Sequence, residues 1–256
     1  MKFKLNKYIQ DDIFNNEHPS DFELSNGYGV LILRLPYIKE NHVFVVSYAF
    51  LIHNKEVYVF DRSSKEFALL GDFSSLYTYL DVRIDKILAK ISRLQTVIEK
   101  LEDRLYENDI DSNFPNEWLM LKKELSLIER LMSHAMIAFG RFSKHYKSDL
   151  DEHAYRDLEE HLDRAFRFSK AALEKLDNLY NFYQAKMDEK MNKIMFILTI
   201  ISAIFLPLTL ITGFFGMNTS DLPLTQTHHG TLKATILATL FEIPFVIWIW
   251  RMIKKY

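Results

Sequence analysis

Residues 192–218 read NKIMFILTIISAIFLPLTLITGFFGMN. Within them Ile194–Gly213 is a run of twenty residues without a charge. Coiled as an α-helix, such a run spans roughly 30 Å, the thickness of a bilayer's hydrocarbon core. Pro207 lies inside the run, and uncharged sequence continues through Gly216-Met217-Asn218 to Ser220. The stretch predicts a membrane-crossing helix that meets water at a polar tripeptide.

Working outward, a second apolar segment follows at Ala234–Trp250, interrupted by one acid, Glu242, and by Pro244. Trp248 and Trp250 near its end suit a membrane interface, where amphipathic rings settle at headgroup level. Lys186, Lys190 and Lys193 precede the first span, and Arg251, Lys254 and Lys255 follow the second. Between the spans no Lys or Arg occurs until Lys233. Basic residues are retained on the cytoplasmic side, so both termini are expected there, with the short loop outside. The expected parts are a mixed α/β segment over 1–80, a helical segment and stalk over 81–193, and a membrane part over 194–256. The spans are placed at about 194–213 and 234–250, with the outer loop at 214–233.

Composition agrees with this division. Charged residues make up 26% of the chain, yet nearly all of them precede Lys193. A net charge of -2 gives no case for nucleic-acid binding. There is no cysteine, which excludes disulfides and thiolate metal sites. Met1–Phe14 lacks the apolar core of a signal peptide, so membrane insertion is expected to be directed by the C-terminal spans.

Upstream, Gly29–Pro36 is an apolar run that a proline is expected to end. Val43–Ile52 and Val57–Phe60 flank His53-Asn54-Lys55-Glu56 and predict a hairpin. Asp72–Tyr79 predicts the start of a short helix. From Leu80 the period changes: Leu80, Ile84, Leu88, Ile91, Leu94, Ile98, Leu101 and Leu105 recur at three and four, one apolar stripe of a helix. Asn108–Pro115 predicts a turn. Glu117–Phe142 predicts a second helix with Leu121, Leu125, Ile128, Met132 and Ala135 on one face. His145–Leu150 is a second turn. A third helix is predicted from about Asp151, with no Gly or Pro until Pro207. These stripes are read as helix–helix core, and a helix of that length as part of a bundle or an oligomer.

Two stretches resemble the CorA family of divalent-cation channels. One is residues 192–218, with Pro207 inside the span, the Phe-Phe-Gly-Met-Asn ending and a second span at the C-terminal end. The other is Arg156-Asp157-Leu158-Glu159-Glu160-His161, similar to the family's Arg-Asp-x-x-Asp/Glu-His segment at a comparable distance before the membrane. The resemblance is specific over roughly the last hundred residues and architectural over the first eighty, and the chain is shorter than typical members. It implies an α+β cytoplasmic domain with a long stalk helix, two transmembrane helices, and a homopentameric, funnel-shaped channel. First spans would line the pore in a bacterial inner membrane.

That implication gives chemistry to the tripeptide. Mg2+ holds its water shell tightly in octahedral geometry. A ring of neutral amide oxygens can hydrogen-bond the hydrated ion without stripping it. Asn218 from each subunit would supply such oxygens at the outer mouth, with Gly216 permitting close backbone approach or unusual dihedrals, and Met217 packing around the ring. Taken alone, Gly216 and Asn218 would simply end a helix. Asn192, Met195, Leu198, Ser202, Leu206 and Thr209 follow helical spacing, and the resemblance places them on the pore side. Met195, Leu198 and Leu206 would be apolar constrictions of the kind that gate by dewetting. Ser202 and Thr209 can instead bond their own backbone carbonyls. Asp221 is the acid nearest the mouth; the family's loop commonly carries Glu after a Met-Pro, whereas this one reads Thr219-Ser220-Asp221-Leu222-Pro223.

The resemblance also makes Asp157 a regulatory site for Mg2+ between neighbouring subunits, against a plain reading as solvated acidic helix face beside Glu159, Glu160 and Asp163. No partner acid stands out in residues 1–80. His145, His153 and His161 show no tetrahedral ligand pattern, and His228-His229 reads as solvated loop. Glu242, an acid within a span, is a functional candidate by position. No catalytic constellation or phosphate loop is present, so an enzyme is not expected. Three functions remain at this stage: passive Mg2+ uptake, extending to Co2+ or Ni2+; a Zn2+ transporter of the same superfamily, with proton coupling; and a non-conducting, membrane-tethered helical protein.

Overall fold

The computed structural model describes residues 3, 5–40, 42–107, 113–217 and 229–253. The chain divides into two units, Met1–Phe182 and Tyr183–Tyr256.

The first unit begins with helix α1 (Lys7–Phe14), capped by the Asn6 side chain, which accepts from the Tyr8 backbone N–H. Five antiparallel strands follow in sequential order: β1 (Asp21–Ser25), β2 (Tyr28–Lys39), β3 (His42–His53), β4 (Glu56–Asp61) and β5 (Glu66–Gly71). Asn26 and Gly27 both take positive φ between paired Ser25 and Tyr28. That is the two-residue turn whose twist matches flanking strands. Asn54 and Lys55 do the same between His53 and Glu56, where the hairpin is expected.

β2 is apolar without alternation because both of its faces are covered. Val30 and Ile32, with Ala49, Leu51 and Phe60, pack beneath Leu5, Ile9 and Ile13. Leu31, Leu33 and Leu35 point to the opposite face and are fully buried. The expectation that Pro36 ends this strand is corrected: β2 continues to Lys39, with Pro36 opposite Val45. The Arg34 N–H turns away from β3, donating to Ser20 Oγ. Backbone groups two residues apart point the same way, so Pro36 lacks its N–H on that outer side. β1 has already ended there, at Asp21 opposite Ile32. Proline is tolerated on such a free edge.

Three helices complete the unit. α2 (Phe73–Tyr106) is one helix, so the short helix expected at Asp72–Tyr79 and the stripe from Leu80 are continuous. The Asp72 carboxylate starts it by accepting the Ser75 N–H. Its buried line runs Phe73, Leu76, Leu80, Ile84, Ile87, Ile91, Leu94, Ile98, Leu101, Leu105. Ile87, not the expected Leu88, holds the fifth place. α3 (Phe114–His145) carries Pro115 in its first turn, where no N–H is needed, and buries all five expected residues.

α4 (Glu152–Phe215) starts at Asp151, whose carboxylate accepts the N–H groups of His153 and Ala154. Tyr155, Leu158, Leu162, Ala165, Ser169, Ala172, Leu176 and Leu179 are buried at spacings alternating three and four. That 3.5-residue period is a coiled-coil-like seam. It meets α2 through the Tyr155 hydroxyl, which donates to the Phe73 carbonyl at 2.7 Å, and through Lys175–Glu102 at 2.5 Å. Burial pushes the Tyr155 phenol well above its ordinary range, with the Asp72 charge adding to the shift. The seam meets α3 through Trp118, whose Nε1 donates to the Leu176 carbonyl and whose ring stacks on Tyr180.

The second unit contains the remainder of α4 and helix α5 (Gly230–Ile253). Among the described residues α4 alone is long and apolar enough to cross a membrane. Pro207 does not break it; the helix continues to Phe215. The proline removes one donor, so the Ala203 carbonyl loses its usual intrahelical partner. Less exposed positions fall on one face of each helix: Ile200, Ala203, Ile204, Pro207, Leu208, Ile211 and Phe215 on α4, and Ala238, Glu242, Phe245, Val246 and Ile249 on α5. An apolar cleft lined by Pro207, Leu210, Ile211, Leu240 and Phe241 lies where the helices adjoin.

The seam predicts an asymmetric response to truncation. Leu158→Ala, at a fully buried position, should cost about 2–5 kcal/mol in chemical denaturation of the first unit. Val97→Ala, on the exposed side of α2, should stay within about 0.5 kcal/mol. Equal effects would contradict the packing described.

Candidate cation sites

Two regions carry candidate cation chemistry, and each lies within one unit. In the second unit, α4 presents the sequence-predicted stripe on one side. Asn192, Met195, Leu198, Ser202, Leu206 and Thr209 are all exposed, Leu198 at 62% and Leu206 at 68%. None belongs to the less exposed face formed by Ile200, Ala203, Ile204, Pro207, Leu208 and Ile211. The Thr209 hydroxyl donates to the Phe205 carbonyl at 2.7 Å, the backbone-directed role open to it in a helix.

At the end of this stripe the helix closes tightly. The Gly216 N–H donates to the Thr212 carbonyl at 2.8 Å, and Met217 N–H to Phe214 at 3.3 Å. A Cβ on Gly216 would lie 3.0 Å from the Thr212 oxygen, tighter than side chains normally tolerate. A glycine at 216 eases this close approach; positive φ among the described glycines is confined to Gly27 and Gly71. Asn218, Asp221 and His228 lie outside the described residues.

Glu242 sits on the less exposed face of α5. It is 8% exposed, and neither carboxylate oxygen has a hydrogen-bond partner. Within α5, Lys233 and Arg251 are each nine residues away, roughly 13.5 Å along the helix axis.

In the first unit, Asp157 is half exposed and stands beside other titratable groups. Two i,i+4 pairs confront one another: Asp81 and Asp85 on α2, Asp157 and His161 on α4. His161 Nδ1 lies 3.6 Å from Asp81 Oδ1 and 3.8 Å from Asp85 Oδ1, while Nε2 lies 3.6 Å from Asp157 Oδ1. One ligand atom from each of Asp81, Asp157 and His161 falls within 4.8 Å of the others. Tyr77 donates to Asp157 Oδ2 at 3.4 Å. Its phenol is pushed up, first by desolvation and then by the negative charge of Asp81, Asp157 and Asp85. Three carboxylates and one imidazole thus stand together where α2 and α4 adjoin.

A lone histidine on an acidic helix shows no ligand pattern; the pattern appears only when α2 packs against α4. The acid beside Asp157 within the chain is Asp81, at the start of the α2 stripe. The available signal was the i,i+4 repeat of carboxylates, Asp81 and Asp85, at the edge of an apolar stripe.

Comparison with known proteins follows the same lines. The chain matches the family described as CorA-like Mg2+ transporter protein over residues 2–255. A putative metal ion transporter, YfjQ of Bacillus subtilis, is 29% identical over 163 residues, 59% of this chain and 50% of that protein. The zinc transport protein ZntB of Pectobacterium carotovorum is 28% identical over 136 residues, 52% of this chain and 41% of that one. The chain thus spans about half the length of the curated relatives it matches. The complete structure of the CorA magnesium transporter from Methanocaldococcus jannaschii superposes with a TM-score of 0.77 at 20% identity, covering 96% of this chain and 83% of that one. The ZntB cytoplasmic domain from Vibrio parahaemolyticus gives 0.53 at 18% identity, covering 72% and 80%. These two likenesses show the fold: an α/β domain joined to one long helix. With the family match running along nearly its whole length, the chain belongs to the CorA-like Mg2+ transporter protein family.

Proposed function

We propose that the protein is a divalent-cation channel that admits Mg2+ passively, with Co2+ or Ni2+ as further cargo. The carrying observation is the exposed stripe from Asn192 to Thr209, on the side of α4 away from its less exposed face and leading to the tight end at Gly216-Met217. An apolar helix that leaves polar groups and bulky apolar groups in single file along one side is suited to surround a shared axis with its own copies. Met195, Leu198 and Leu206 then narrow the pore, while Asn192, Thr209 and Asn218 offer oxygens to ion-bound water. Family membership supports five copies, with α4 inside and α5 outside.

Residues 194–256 are assigned to the bilayer and the preceding segments to the cytoplasm, with both termini there. The Lys and Arg distribution supports that orientation in a bacterial inner membrane. A divalent ion crossing 100 mV gains about 4.6 kcal/mol, twice the value for a single charge, so uptake needs no coupled fuel. Asp157 is assigned to a cytoplasmic cation site that biases the channel, with Asp81 and His161 beside it.

A second reading rests on Glu242. An enclosed acid without a partner in an apolar helix is the kind of group that relays protons in membrane proteins. The zinc transporters among its relatives give the same direction. In this reading the cargo is Zn2+ and transport is proton-linked.

Flux into proteoliposomes separates the two. Voltage alone should drive Mg2+ entry, and Asn218→Ala should reduce it to the leak of protein-free vesicles while the oligomer's mass in detergent is unchanged. Wild-type flux in that variant would overturn the role of Asn218. Under the second reading Zn2+ entry requires a pH gradient and Glu242→Gln removes that requirement; under the first, the substitution leaves the pH dependence of Mg2+ flux unchanged.

A further inference from the structure

We infer that the first unit holds an oxyanion site for a phosphoryl group, built by Arg34, Ser47 and Arg62 on the face of the sheet that carries α1. It uses none of the residues of the two cation regions.

Strand register brings the three residues together. Arg34 of β2 stands directly opposite Ser47 of β3. The Arg34 N–H turns away from β3, so this is the closer, non-hydrogen-bonded kind of cross-strand pair, with Cβ atoms about 4.5–5.5 Å apart. The β3–β4 ladder sets Phe50 opposite Val59; the same register, continued, sets Ser47 opposite Arg62, the first residue after β4. There the Arg62 side chain takes over from the ladder, with Nε donating to the Ser47 carbonyl at 3.1 Å. Side chains alternate between faces along a strand, so Arg34 and Ser47 share the face of Val30, Ile32, Ala49 and Leu51, which α1 covers. α1 stops at Phe14, whose ring packs edge-on against Phe60, two residues short of Arg62.

The row is short of acceptors. Arg34 Nε, Ser47 Oγ and Arg62 Nη2 are all enclosed, and none makes a hydrogen bond. Ser47 is only 7% exposed. Buried polar groups are nearly always hydrogen-bonded, so three unmet atoms in one row mark a place for a ligand. Arginine has no acceptor, so the two guanidinium groups cannot serve each other. Each donates to one backbone carbonyl, Arg34 Nη1 to Glu17 at 3.0 Å and Arg62 Nε to Ser47. Neither has a carboxylate partner among the described residues. Asp61, next to Arg62 in the chain, accepts instead from the Ser63 and Ser64 hydroxyls at 2.7 and 2.9 Å. Burial pulls the Arg62 guanidinium below its ordinary pKa, so its charge is held at a cost that a bound anion would offset.

Charge and shape choose the anion. The two guanidinium groups bring two positive charges to one place. A phosphate ester carries about -1.5 to -2 near neutral pH, whereas a carboxylate carries a single charge. The planar guanidinium fork matches pairs of phosphate oxygens, and a phosphoryl group has three oxygens to share between two forks and a hydroxyl. Both arginines are partly exposed, which gives such a ligand a way in from solvent.

The test titrates the full chain in detergent with inorganic phosphate by calorimetry, in metal-free buffer at constant ionic strength. Wild type should bind one phosphate per chain, and acetate at least about tenfold more weakly. Arg34→Gln and Arg62→Gln should each weaken phosphate at least about tenfold, and Ser47→Ala at least about threefold. Arg167→Gln, at an exposed arginine of α4 paired with Asp163, should leave the affinity unchanged. Melting curves establish that the variants fold, and Ser47→Ala, the mildest change, carries the test if the arginine variants do not. Glycerol phosphate in place of inorganic phosphate separates two sources of the group: equal or tighter binding assigns the site to phosphate esters, weaker binding to the free ion, and either upholds phosphoryl recognition. No phosphate bound by wild type, acetate bound as tightly as phosphate, or unchanged affinity in the folded variants overturns the proposal.

Discussion

Helix α4 has to satisfy two unlike surroundings with one hydrogen-bonded ladder. From Tyr155 to Leu179 it is sealed by a seam of small and branched side chains. From Ile194 to Phe215 it carries no charge at all, and its apolar window is unburied by the chain itself. Such a segment is stable in water only if something covers it. Lipid or further copies of the same helix meet that need, because an α-helix leaves no backbone group in its interior unpaired. The one exception, the carbonyl freed by Pro207, falls on the face that is already less exposed.

That constraint organises the residues that matter. In the second unit the less exposed face of α4 is distinct from its exposed side, and the expected pore stripe occupies the exposed side. Glu242 lies on the less exposed face of α5, apart from the exposed stripe of α4 that holds Asn192 and Thr209. In the first unit the seam sets Asp157 and His161 one turn apart, beside the corresponding turn of α2. The same 3.5-residue register therefore packs the core and assembles the acid–imidazole pocket.

Much of this was readable from residues alone. The apolar run at 194–213, the stripes of α2 and α3, and the hairpin at His53–Glu56 each rest on local periodicity or turn chemistry. Errors came where a partner element decided the outcome. Pro36 reads as a strand end until β1 proves too short to need its N–H. Leu88 and Ile87 both fit a helical stripe, and only the packing selects Ile87. Asp81 and His161 are unremarkable on their own helices and acquire chemistry when α2 meets α4. Periodicity says which face of a helix is buried; it does not say what lies across from the residues at its margin.

The most direct test of the pore assignment exploits the absence of native cysteine. Single cysteines would be placed along α4 and treated with a membrane-impermeant thiol reagent while Mg2+ flux is followed. Cysteine at Leu206 or Thr209 should react and block flux. Cysteine at Ile204 or Ile211, on the less exposed face, should remain unmodified and conduct. Reaction and block confined to Ile204 and Ile211, or no reaction at any of the four, would contradict the account.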